Sequence, residues 1–175
     1  MASIRQGATS LRGNPIDVTG EELKVGQKAP DFTLVGQDMS SVSLKDTSGK
    51  VRVISTVPSL DTPVCATETR RWQEEADKLG ERVEIITVSM DLPFAQKRWC
   101  GEAGVSHRVL SGYADEQFGA DWGVLIKAPP LRRVLQRAVF VLDKDDTVRY
   151  AEYCPEIAEQ PNFDKALEIA RQIAG

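Results

Sequence analysis

The chain has 175 residues, of which 41% are hydrophobic and 27% charged, a balance that suits one globular domain over residues 1–175 with a buried core. A formal net charge of −4 disfavours a nucleic-acid surface, and no apolar run reaches the length of a membrane span. Met1 to Ser10 lacks the apolar centre of a signal peptide, so a cytoplasmic location is expected. Cys65, Cys100 and Cys154 form an odd set, which argues against a disulfide framework and leaves redox chemistry or simple burial. His107 is the only histidine, and without a C-x-x-C pair or an H-E-x-x-H motif neither a metal site nor a bound cofactor is expected.

Taken in order, residues from about Ala8 to Thr19 alternate around Gly13-Asn14-Pro15 and predict an N-terminal β-hairpin. Glu21 to Pro30 is a connecting loop, and short strands are expected at Phe32 to Val35 and Ser41 to Leu44. These hairpins are expected to extend or cover a sheet and are assigned no chemistry. Val51 to Val57 is the first run rich enough in β-branched residues to be a central strand. It stops at Pro58; after a polar turn, a charged helix runs from near Pro63 to Leu79, ahead of Gly80. Trp72, Ala76 and Leu79 lie on one stripe of that helix and predict core packing. Val83 to Val88 is the next strand, which completes a βαβ unit with parallel pairing.

Asp91-Leu92-Pro93 marks another helix start, and the helix should end near Gly101 or Gly104 with Cys100 late in it. A short strand at Arg108 to Ser111 and a short helix at Ala114 to Ala120 follow, then a loop at Lys127 to Arg133. Arg137 to Leu142 and Thr147 to Tyr153 pair antiparallel across Lys144-Asp145-Asp146. Asn162 to Ile173 closes the chain as a helix with Phe163, Leu167, Ala170 and Ile173 on one face. The layout predicts an α/β thioredoxin-like fold, a central mixed β-sheet flanked by helices with an N-terminal β-hairpin.

Cys65 is the residue on which function turns. Thr62 is a candidate N-cap and Pro63 a first helical residue, which places Cys65 in the first turn, where backbone N–H groups lack intrahelical partners. Those donors and the positive end of the helix dipole favour a thiolate. Cysteine is also common as buried core filler, so two readings are open. A position just after a turn favours the nucleophile and predicts partial exposure.

Pro58, Thr62 and Cys65 form P-x-x-x-T-x-x-C, which resembles the active-site motif of peroxiredoxins. The string Pro58 to Cys65, with Met90 to Arg98 and Cys100, resembles closely the atypical two-cysteine subgroup, the thiol peroxidases, and the likeness covers nearly the whole chain. The resemblance implies Cys65 as the peroxide-attacking nucleophile, Thr62 as a hydroxyl that positions the peroxide, Pro58 as the residue that shapes the loop and shields the sulfur from water, and Arg137 as an arginine facing the sulfur from a distant strand. It implies Cys100 as the resolving cysteine, thioredoxin as reductant, hydrogen peroxide and organic hydroperoxides as substrates, and a homodimer. A disulfide needs Cα atoms within about 7 Å, a limit that two cysteines in separate regular helices need not meet, and the resemblance implies local unwinding of one or both helices during turnover. Cys154 lies outside the motif and is read as structural or incidental.

Rival classes are weaker. A thioredoxin-like reductase would carry C-x-x-C, but Glu68 stands three residues after Cys65; a resolving cysteine five residues downstream is replaced by Arg70. A cysteine hydrolase would need His107 beside Cys65, which the spacing does not support. A non-enzymatic redox sensor using the same Cys65 and Cys100 pair is the remaining alternative.

Overall fold

The computed structural model describes residues 2–175. In chain order it contains β1 (Ile4–Leu11), β2 (Asn14–Thr19), β3 (Thr33–Val35), β4 (Ser41–Ser43), β5 (Val51–Thr56), α1 (Pro63–Leu79), β6 (Val83–Ser89), α2 (Pro93–Ala103), β7 (Arg108–Ser111), α3 (Gln117–Asp121), β8 (Leu125–Ile126), β9 (Ala138–Leu142), β10 (Val148–Tyr153) and α4 (Phe163–Ala174). A seven-stranded mixed sheet runs in the order β10-β9-β5-β6-β7-β3-β4. Its centre is parallel, β5 beside β6 beside β7, and β9, β10, β3 and β4 add antiparallel edges.

The centre is central because its sequence permits it. Every residue of β5 is buried, and alternate side chains serve opposite faces. Val51 and Val53 join Trp72 of α1 and Leu167 and Ala170 of α4 on one side, whereas Ile54 joins Phe118, Trp122 and Phe140 on the other. Trp99 and Cys100 of α2 pack with Val109, whose neighbour Leu110 belongs to the opposite face. Helices α1, α2 and α4 therefore share one layer, and α3 lies in the other.

Several expectations shift in detail. The β3–β4 hairpin extends the large sheet, but the N-terminal hairpin pairs with β8 to make a separate three-stranded sheet. That third strand, only two residues long, is too short to leave a periodic signal. The expected strand at Ser41 to Leu44 ends at Ser43, because Leu44 opens a 3-10 turn whose Asp46 carboxylate accepts the Ser43 N–H at 2.8 Å. Helix α3 begins at Gln117 rather than Ala114, since Asp115 captures the Gln117 N–H at 2.9 Å and makes a local turn. Gly104 ends α2 in the left-handed conformation (φ 70°), a geometry glycine adopts without the Cβ clash.

The hairpin also does more than cover. Ile157, just after β10, donates its N–H to Ser10 O of β1 at 2.8 Å. The Glu156 carboxylate accepts from Ser10 Oγ and from the Arg12 and Gly13 N–H groups, and these bonds, with the Ser10 hydroxyl first, draw its pKa down to about 2. The β1–β2 turn is thereby pinned to the segment that follows β10.

Candidate active site

Thr62 has extended backbone (φ −96°, ψ 145°) and its carbonyl accepts the Ala66 N–H at 2.9 Å, so it opens α1 with Pro63 as the first helical residue. Its hydroxyl does not cap the helix. It donates instead to Ser59 O at 2.9 Å, closing the turn that joins β5 to α1. Cys65 is the third residue of α1, as the spacing predicts.

The expectation of partial exposure is wrong: Cys65 is 0% exposed. Val57, Leu60, Trp99, Cys100, Val105 and Val109 form one apolar cluster with it, because the turn folds Leu60 inward and α2 lays Trp99 alongside. Pro58, also buried, begins the turn and contributes no N–H.

The polar side of this pocket comes from β5, α1 and the start of β9. Arg137, immediately before β9, reaches across so that Nη2 donates to Cys65 Sγ at 3.2 Å. Its Nε and Nη2 also donate to Ile157 O, at 3.1 and 2.9 Å. Its Nη1 donates to Glu68, one helical turn beyond Cys65. The other Glu68 oxygen accepts Ser55 Oγ at 2.7 Å and Trp72 Nε1 at 3.2 Å. Arg137 and Glu68 are 1% and 0% exposed, so both charges depend on these partners. Burial works against the charge on Arg137, but Glu68 and the Cys65 sulfur more than offset it, and the guanidinium holds its proton above the ordinary arginine value. Burial is the largest influence on Glu68 and raises its carboxyl; Arg137, Ser55 and Trp72 oppose it.

Glu68 is not among the site residues expected from the sequence, although the sequence carries a signal for it. Cys65, Glu68, Trp72 and Ala76 continue one helical stripe, and a glutamate on a stripe that faces the core requires a buried cation. Trp72, assigned to packing, does both: it is fully buried against α4 and also holds Glu68.

Cys100 lies in the last turn of α2, fourth from its end, buried, with a free thiol like Cys65 and Cys154. Gln37, in the β3–β4 turn, donates from Nε2 to Cys100 Sγ at 3.4 Å. Burial pushes the Cys100 thiol up to about 11, with Gln37 pulling the other way. Cys154 is buried too, and burial first, then the charges of Glu152 and Glu68, push it up to about 12. His107 stands apart from the cysteines: Nδ1 donates to Gln73 Oε1 at 3.0 Å and Nε2 accepts from Thr87 Oγ1 at 2.9 Å, and burial lowers its pKa to about 4. Arg137 and Cys65 are thus in direct contact, Thr62 and Pro58 shape the turn before them, and Cys100 shares their apolar cluster.

Comparison with known proteins adds a family to this geometry. The Redoxin family model matches residues 24–167. A thiol peroxidase of Halalkalibacterium halodurans is 49% identical over 172 residues, covering 98% of this chain and 98% of the relative. The chain belongs to the Redoxin family, among the thiol peroxidases. A second thiol peroxidase, from Streptococcus pneumoniae, is 51% identical over 162 residues and covers 92% of this chain and 97% of the relative. A solved peroxiredoxin-like protein from Aquifex aeolicus superposes with a TM-score of 0.89 at 40% identity, covering 97% of both chains. The enzyme is accordingly a peroxidase of the peroxiredoxin type on a thioredoxin-like fold.

Proposed function

We propose that this peroxiredoxin reduces hydrogen peroxide and organic hydroperoxides through Cys65. The observation that carries the assignment is the Arg137 Nη2 to Cys65 Sγ contact of 3.2 Å in the first turn of α1. The Cys65 thiolate attacks the terminal oxygen of the hydroperoxide: an S–O bond forms, the O–O bond breaks, and the leaving alkoxide or hydroxide takes a proton from water. Cys65 becomes a sulfenic acid. Arg137 holds the sulfur and meets the negative charge that develops on the oxygens. Thr62, its own O–H fixed on Ser59 O, keeps a lone pair free to accept the hydroperoxide proton and so orient the substrate. Pro58 keeps water and competing donors from the sulfur.

Cys100 is the resolving residue in this reading. Its thiolate attacks the sulfenic sulfur, an S–S bond forms, and the hydroxyl leaves as water once it takes a proton. Both cysteines are buried side chains of one apolar cluster but belong to separate helices, so an opening of α1 or α2 precedes the disulfide. Thioredoxin supplies two electrons to restore both thiols, and the enzyme works as a cytoplasmic homodimer; these points rest on the likeness to thiol peroxidases. Steady-state peroxide consumption with a thioredoxin system tests the scheme. Cys65→Ser should abolish turnover, and Cys100→Ser should oxidise once and recycle poorly. Full activity in Cys65→Ser would overturn the scheme, and a wild type that oxidises once without turnover would identify a sensor instead.

A further inference from the structure

The geometry points to Asp91 as a positioning residue that ties the Cys65 turn to the helix bearing Cys100 and sets how readily the two cysteines leave their folded positions. This inference rests on the Cys65 and Cys100 reading above. Asp91 occupies the junction between β6 and α2, directly before Leu92, the N-cap residue of α2. Its Oδ1 accepts Ser59 Oγ at 2.8 Å, and its Oδ2 accepts the Leu60 N–H at 2.9 Å and Ser89 Oγ at 2.7 Å. Its acceptor capacity is directed at these neutral donors.

The bonds continue in both directions. Ser59 O receives the Thr62 N–H and hydroxyl, at 3.2 and 2.9 Å, and Thr62 opens α1 three residues before Cys65. Ser89 Oγ receives Gln96 Nε2 of α2 at 2.9 Å, and the Asp91 carbonyl receives Ser111 Oγ of β7. Leu60, whose N–H Asp91 holds, is one of the apolar side chains packed with Cys65. One carboxylate therefore joins the turn that shapes the nucleophile to the base of the second helix. The partly exposed Asp61 to Arg98 pair, at 3.6 Å, spans the same two elements but is a surface contact of little weight.

The consequence is a partition. While the turn is held, the Cys65 sulfenic acid stays in the site where a second hydroperoxide can add an oxygen to it, giving sulfinic acid and an alcohol or water. Once the turn opens, Cys100 displaces hydroxide from the same sulfur and the disulfide forms. Weakening the hold should favour the second outcome.

The test uses the full chain with Asp91→Asn, which keeps the size but removes the charge, and Ser59→Ala, which removes one of the three bonds. Amide hydrogen exchange reports the hold, and intact mass reports disulfide against sulfinic acid after a fixed excess of hydrogen peroxide. For Asp91→Asn, exchange over residues 60–66 should rise about tenfold and the disulfide to sulfinic ratio should rise by about the same factor, the size expected for losing charge-assisted bonds. Ser59→Ala should move both in the same direction by a few-fold, and it carries the test alone if Asp91→Asn does not fold. Unchanged exchange, or faster exchange with an unchanged ratio, overturns the proposal. If wild type forms neither product, the Cys65 and Cys100 reading fails, and exchange still decides whether Asp91 holds the turn.

Discussion

Cys65 and Cys100 are both buried, each on a helix and each in the same apolar cluster, yet their sulfurs meet different partners. Cys65 receives a guanidinium N–H whose charge is sustained by Glu68 and whose direction is set by Ile157 O. Cys100 receives the neutral amide of Gln37, and burial keeps it a thiol. Burial is common to both, so it cannot assign their roles. What separates them is the polar group aimed at each sulfur.

The largest effect expected from breaking this difference is at Arg137. Arg137→Met should slow the oxidation of Cys65 by hydrogen peroxide by about 10²–10³, the scale for removing one donor aimed at developing charge. It should also destabilise the fold by about 3–5 kcal/mol, because Glu68 would be left buried without its cation. Adding Glu68→Gln to that variant should restore much of the stability and none of the rate, as read by urea unfolding and stopped-flow fluorescence. Recovery of rate with stability would mean that the arginine acts only as a structural ion.

A smaller effect sharpens the Cys100 side. Its folded pKa of about 11 lies above the unfolded value near 9, so the folded state retains the proton longer. The stability linked to this thiol is fully present below about pH 9 and is lost as pH rises from about 9 to about 11. Wild type should therefore lose more stability across that window than Cys100→Ala, measured by denaturant unfolding at each pH. Parallel curves would show that Cys100 is less enclosed than its surroundings indicate.

The sequence made the helix start around Cys65 legible because Thr62, Pro63 and the β-branched run before them are strong local signals. It also placed Cys100 late in a helix ending at Gly101 or Gly104, of which Gly104 is the one that closes it. What it did not carry was distance across the fold. Glu68 lay on a readable stripe but gains meaning only beside Arg137, which is remote in sequence and reached only through the β5–β9 pairing. Gln37 and Asp91 act through side chains in turns, where periodicity says nothing about partners. The burial of Cys65 is hidden from the sequence for a related reason: the turn before it is polar in Ser59 and Asp61 but folds Leu60 inward. The hairpin, read as a cover, supports the Ile157 peptide that Arg137 grips, a link no local pattern contains.

The most direct test of the central claim is to treat Cys100→Ser with one equivalent of hydrogen peroxide in the presence of a sulfenic-acid trap and to map the adduct by peptide mass. The account predicts adduct on Cys65 alone, with its formation strongly slowed when Arg137→Met is added. Adduct on Cys154, or equal labelling with and without Arg137, would contradict it.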